Sequence, residues 1–169
     1  MMQFIVGDYV VLFSYGPGQV VYLEKKQLFG GEARLYYEIM TPKNAVWVPV
    51  ETDAKATLRS VTSKSDLSTY RQILKSKPAT LNKEHRVRHL ELTDRLKYGS
   101  FQVLCEVVRD LTAHGWSKPL SDVDAALLRR VHDNVCQEWS ITANITFVEA
   151  NKYIGALLSE AKQAHKDSS

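Results

Sequence analysis

The sequence predicts an α+β protein: a small, partly open β-barrel over residues 1–61, followed by an all-α bundle of about five helices over residues 62–169. Two observations carry this prediction. Up to residue 61 the apolar residues fall in short β-rich runs separated by Gly, Pro, Asn or Asp, with no helical period. Beyond residue 62 they recur at helical spacing between recognisable caps and stops.

Strands are expected at Tyr9–Phe13, Gln19–Leu23, Leu35–Met40, Val46–Val50 and Thr57–Val61. Short strands at this density suit a small barrel that leaves little room for anything else. Gly16-Pro17-Gly18 and Gly30-Gly31 are read as turns that need positive φ, and Pro42-Lys43-Asn44 as the next turn. Pro49 has no N–H to give a ladder, so its part of the strand belongs at an edge or beside a bulge.

The first helix is expected from a Ser63 or Ser65 cap through Lys75, with Leu67, Tyr70, Ile73 and Leu74 on one face. Asn82 is the expected cap of the second, which runs to Tyr98 with Gly99 as its stop. The third spans Phe101 to His114, buries Val103, Leu104, Val107, Val108 and Leu111, and ends at Gly115. Ser121 with Asp124 resembles a capping box for a fourth helix to about Ala143, carrying Val123, Leu127, Leu128, Val131, Val135 and Trp139. Thr146 with Glu149 is the matching box for the fifth.

With 169 residues, 44% apolar and 24% charged, the chain has globular composition and is too short for a large multidomain enzyme. Cys105 and Cys136 share no CxxC spacing, so buried structural thiols are expected, with neither zinc nor a disulfide framework. The N-terminus lacks the features of a signal peptide, and no apolar run approaches the ~20 residues that span a bilayer; a cytoplasmic monomer is expected. The net charge of +3 is unevenly spread. Residues 1–61 are neutral, whereas residues 75–97 hold seven basic against three acidic side chains.

The sequence contains no GxSxG elbow, P-loop, GxGxxG after a strand, HExxH or DxDxDG loop, so neither an enzyme nor a cofactor is expected. His85 and His89 share a helix face but lack a third ligand, and read as a solvated or nucleic-acid-facing pair. Arg88 and Arg95, seven apart, return to within about 20° on a helix and would form a basic ridge for a phosphate backbone. The plainer alternative is a solvated face with pairs such as Glu91 with Arg95. Val87 and Leu90 point away from Leu92 and Leu96, so this helix is either packed on two sides or broken. Trp47, beside Val48-Pro49, is either a core residue or an exposed anchor for an added strand.

FIVGDYVVLFSYGPGQVVYLE, YYEIM, VWVPVET, LRSV, NKEHRVRHLELTDRLKYGSFQVLCEVVRDL and LSDVDAALLRRV occur in this order. The ordered set VGDxVV, GxG, VPV, LR, RxxxxxxRLKxG, EVVRDL and LS resembles the bacterial CarD/CdnL family of transcription regulators over nearly the whole chain. The resemblance implies an N-terminal Tudor-like, SH3-like barrel shared with the transcription-repair coupling factor. Such a barrel docks on the RNA polymerase β subunit by strand-to-strand pairing. By position its contacts fall near Lys26 and Trp47, and Val48 and Pro49, beside Trp47 on the same strand, complete the candidate polymerase-binding residues. The resemblance also implies a helical domain on promoter DNA upstream of the −10 element, where a tryptophan wedges into the minor groove and stabilises the open complex. The wedge position falls on His85 and Arg88 retains the family's arginine; with the basic Arg86 and with His89 and Arg95 from the same helix, they are the DNA-contact candidates.

Three positions depart from the family. Trp47 stands where arginine is common, His85 stands at the wedge position, and Ala125 replaces a basic residue after the LS helix start. A weaker or differently specific hold on DNA follows. The missing wedge tryptophan and Ala125 motivate an alternative, a polymerase-bound adaptor whose helical domain takes a protein partner; an exposed apolar patch there would favour it.

Overall fold

Short apolar runs organise the N-terminal half into a five-stranded sheet around one buried core. The computed structural model describes residues 3–13, 15–27, 30–51 and 58–168. Strands β1 (Tyr9–Leu12), β2 (Gly16–Lys26), β3 (Arg34–Met40), β4 (Ala45–Pro49) and β5 (Leu58–Ser60) form one antiparallel sheet in the order β4-β3-β2-β1-β5. The expected start of the last strand at Thr57 lies outside the described residues. β4 and β5 are its edges and do not pair with each other among the described residues, which leaves the barrel open. A bulge between Val20 and Tyr22 bends β2, the longest strand. Val10, Leu12, Val20, Tyr37, Ile39, Val48 and Leu58 point inward and, with Phe4 and Val50, make the core.

Gly16-Pro17-Gly18 is not the hairpin turn the sequence suggested. All three residues belong to β2 and pair with Leu12, Val11 and Val10 of β1. Gly16 keeps the expected positive φ, at 88°. Gly18 is required for a different reason: a Cβ there would lie 2.8 Å from both Ile39 Cγ2 and the Met40 carbonyl oxygen. Pro17 lies beyond the last β2–β3 pair, Gln19 with Met40, where a missing donor costs little.

The chain divides at Val61 and Thr62 into this β unit and a helical unit. After a 3₁₀ turn at Lys64–Asp66 come α1 (Leu67–Lys75), α2 (His85–Leu96), α3 (Phe101–His114), α4 (Asp122–Ala143) and α5 (Phe147–Asp167). Ser63 precedes the 3₁₀ turn, but its hydroxyl donates to the Asp66 carboxylate at 2.8 Å and makes no cap bond. Asn82 is not the cap of α2; it accepts the Glu84 N–H in a turn before the helix, and Glu84 occupies the cap position. Ser100, Ser121 and Thr146 cap α3, α4 and α5 with side-chain acceptors, and the box at α5 is complete. At α4 only half the box forms, because the Asp124 carboxylate is engaged by Arg88. Asn144, at φ 56°, closes α4 in the left-handed conformation.

The bundle core gathers Leu74, Leu92, Phe101, Leu104, Val107, Val108, Leu111, Val131, Val135, Trp139 and Ile154. Phe101 stands edge-on to Tyr70, with ring centroids 4.8 Å apart. Cys105 and Cys136 are buried in this core, and burial together with the Asp133 charge pushes the Cys136 thiol up to about 12. Glu138, fully buried, accepts the Thr62 N–H at 2.7 Å, while the Thr142 hydroxyl donates to the Thr62 carbonyl, so the entrance to the bundle is pinned to α4. The buried Asp110 likewise accepts the Ala79 N–H and holds the segment after α1. Val123, expected on the buried stripe of α4, is 58% exposed. It lies in the first turn of that helix. No described helix is long and apolar enough to cross a membrane.

Candidate functional site

Two surfaces hold the residues singled out from the sequence, one in each unit. In the β unit the outer edge of β4 is defined by its backbone. Val50 N–H donates to the Leu35 carbonyl and Thr41 N–H to the Asn44 carbonyl, both at 2.9 Å. These bonds bracket the β3–β4 ladder and set its alternation: Val46, Val48 and Val50 turn their backbone to β3, while Ala45, Trp47 and Pro49 turn theirs outward. The absent N–H of Pro49 therefore falls on the outer side, which is why an edge strand tolerates it. The Trp47 N–H and carbonyl face outward as a donor–acceptor pair.

Side-chain directions follow from the same register. Val48 is only 7% exposed and belongs to the core, so its side chain is not a contact residue. Trp47 is 44% exposed on the opposite face, opposite Glu38, which in turn pairs with Tyr22. Lys26, from β2, places Nζ 3.8 Å from the centroid of the Trp47 ring and 3.7 Å from a Glu24 oxygen. The structure thus joins Lys26 and Trp47 in one cation–π contact. Pro49 lies two residues along the same edge.

In the helical unit α2 is continuous, Arg88 turns inward and Arg95 turns toward α3. Arg88 is buried at 3% exposure, and all five of its N–H groups are used. Nε and Nη2 donate to Asp124 Oδ2 at 3.0 and 2.7 Å, Nη1 to the carbonyls of Asn82 and Lys83, and Nη2 also to His85 Nδ1 at 3.0 Å. Arg95 pairs with Glu106 at 3.3 Å and Asp110 at 3.8 Å on α3, not with Glu91. The expected Arg88–Arg95 phosphate ridge therefore does not exist: both cations serve carboxylates of neighbouring helices. Sequence reasoning read Asp124 only as a cap residue. An Asp where a capping box favours Glu was the available sign of another role.

His85 and Arg86 are exposed, and His89 is half-buried with Nδ1 shielded and unpartnered among the described residues. Two grooves meet at His85. One, of about 600 Å³, is lined by His85, Arg86, His89, Leu90, Ser121 and Val123; Leu90 is 67% exposed in it. The other, of about 450 Å³, includes Lys83, His114, Lys118 and Ser121 and is basic. Asp124 lines both, and its partner Arg88 lines the second. Burial of that carboxylate pushes its pKa up, but hydrogen bonds from Arg88 and Ser121 and the Arg88 charge outweigh this and hold it below 3.8. No three His, Cys, Asp or Glu side chains gather as a metal site among the described residues.

An antiparallel sheet with β4 at its edge is thus followed by a five-helix unit with a surface at the starts of α2 and α4. Residues 4–62 match the CarD-like/TRCF RID domain and residues 70–155 match the CarD C-terminal domain; the chain belongs to the CarD-like family of transcription factors. It is 25% identical over 145 residues to the Bacillus subtilis (strain 168) protein named "Putative transcription factor YdeB", covering 85% of this chain and 95% of that one.

Proposed function

We propose that this protein docks on the RNA polymerase β subunit through the outer edge of β4 around Trp47 and contacts promoter DNA upstream of the −10 element through the surface around His85, stabilising the open complex in the cytoplasm. The observation that carries this reading is the outward backbone pair of Trp47, beside the Lys26–Trp47 contact. An added strand bonds to such a pair, and the exposed indole supplies the anchor beside it. On the helical side Arg86, Lys83 and Lys118 supply exposed cations for phosphates, and His85 lies between them. Arg88 and Arg95 act from within, holding α2 to α4 and α3.

The test is the lifetime of open promoter complexes formed by polymerase with and without the protein. Wild type lengthens it, and the His85→Ala/Arg86→Glu double variant does not. An equal effect of both proteins would remove the DNA half of the proposal. The exposed Leu90 and Val123 in the first groove favour the second reading, an adaptor that seats a protein segment there. Binding of polymerase with no change in open-complex lifetime would support it.

A further inference from the structure

We propose that His85 is a fixed hydrogen-bond donor, oriented by Arg88 and Asp124, and that it reads an acceptor on the minor-groove edge of a base, at the position where the family resemblance implies an aromatic wedge. The inference rests on the promoter reading above and specifies what its central residue does.

The geometry assigns the proton. A guanidinium only donates, so His85 Nδ1, 3.0 Å from Arg88 Nη2, must be the acceptor and its proton must sit on Nε2. Nε2 lies across the ring from Nδ1 and so faces away from the guanidinium. Arg88 is not free to follow the ring if it tilts. Its remaining N–H groups are fixed by Asp124, Asn82 and Lys83. The chain Asp124–Arg88–His85 therefore links the first turn of α4 to an exposed ring at the start of α2 and sets both its tautomer and its angle. Asp124 and Arg88 are positioning residues; His85 is the contact.

A wedge needs a large apolar face that can rotate into the gap between two base pairs. The imidazole of His85 is small, and inserting it would break the bond to Arg88. A single outward N–H instead matches the acceptors that every A·T pair presents in the minor groove, N3 of adenine and O2 of thymine. A G·C pair adds the guanine amino group, a second donor that opposes it. The flanking basic groove offers Lys83 and Lys118 to the neighbouring phosphates. A preference for A·T at the contacted position follows.

Full-length variants separate donor from wedge. Glutamine places an amide nitrogen near the position of Nε2, whereas phenylalanine keeps a flat ring and has no donor. Open-complex lifetime should stay within about twofold of wild type for His85→Gln and fall to the protein-free value for His85→Phe; each tenfold change would correspond to about 1.4 kcal/mol. Retained effect in His85→Phe with loss in His85→Gln would overturn the donor role and leave the promoter reading standing. No effect of wild type would overturn both. Positioning is read independently from the imidazole ¹⁵N shifts of the free protein. Wild type should show the Nε2–H form, and both Asp124→Asn and the milder Arg88→Lys should shift His85 to a mixture of tautomers. A wild-type Nδ1–H form, or shifts unchanged in both variants, would overturn the relay.

Discussion

Asp124 Oδ2 lies 2.7 Å from Arg88 Nη2, and both side chains are 3% exposed. A pair this buried is stabilising only while both members are present, since either one alone is an unsolvated charge. Asp124→Ala should destabilise the helical unit by about 3–5 kcal/mol. The Arg88→Met/Asp124→Leu double variant should cost far less, because it removes the charge along with its partner. Urea unfolding followed by helical circular dichroism checks both. Equal losses in the single and double variants would show that packing, not charge burial, sets the cost.

Acid should weaken the helical unit in two steps. His114 is held below 6.5 chiefly by burial, with the charges of Arg88, Lys118 and His85 adding and Asp124 opposing; His132 is held below 6.5 by burial against the pull of Asp133. As pH falls below 6.5 the unfolded chain takes up these protons before the folded one, so stability declines. Asp124 contributes in the opposite protonation range. Its folded pKa is depressed, so its stabilisation is present above 3.8 and is lost as pH falls through the lower folded value. Melting temperature against pH should show both declines, and the His114→Gln/His132→Gln variant should lack the first alone.

Gly18→Ala should destabilise the β unit by about 1–3 kcal/mol. The added Cβ would meet Ile39 Cγ2 and the Met40 carbonyl oxygen at 2.8 Å, and the second of these is backbone in a paired strand that cannot yield. Gly30→Ala meets no neighbour within 4 Å, so its cost is limited to the positive φ of 73°. Thermal unfolding of the two variants compares crowding with backbone strain.

Much of the architecture was legible in the sequence because local rules and tertiary packing agree there. The Phe101–His114 helix, the Thr146–Glu149 box and the edge role of Pro49 each follow from one side chain's chemistry acting within its own element. The site was less legible, because its chemistry depends on partners distant in sequence. Helical spacing places Arg88 and Arg95 on one face, but nothing local says that the face meets Asp124, Glu106 and Asp110. Val48 and Trp47 are adjacent, and only the strand register sends one to the core and the other to the surface. Gly18 was misplaced for the same reason: its constraint is an approach by β3, not a turn of its own chain.

The proposed polymerase interface rests on the contact between Lys26 and Trp47 and on the outward backbone of β4. Both readings of the helical unit depend on that edge. Retention of RNA polymerase β-subunit fragments by immobilised full-length protein tests it most directly, with wild type compared with Trp47→Glu, which puts a carboxylate where the exposed indole lies. Capture by wild type and loss in Trp47→Glu, with an unchanged melting temperature, is the predicted result. Equal capture by both proteins, or none by wild type, would contradict it.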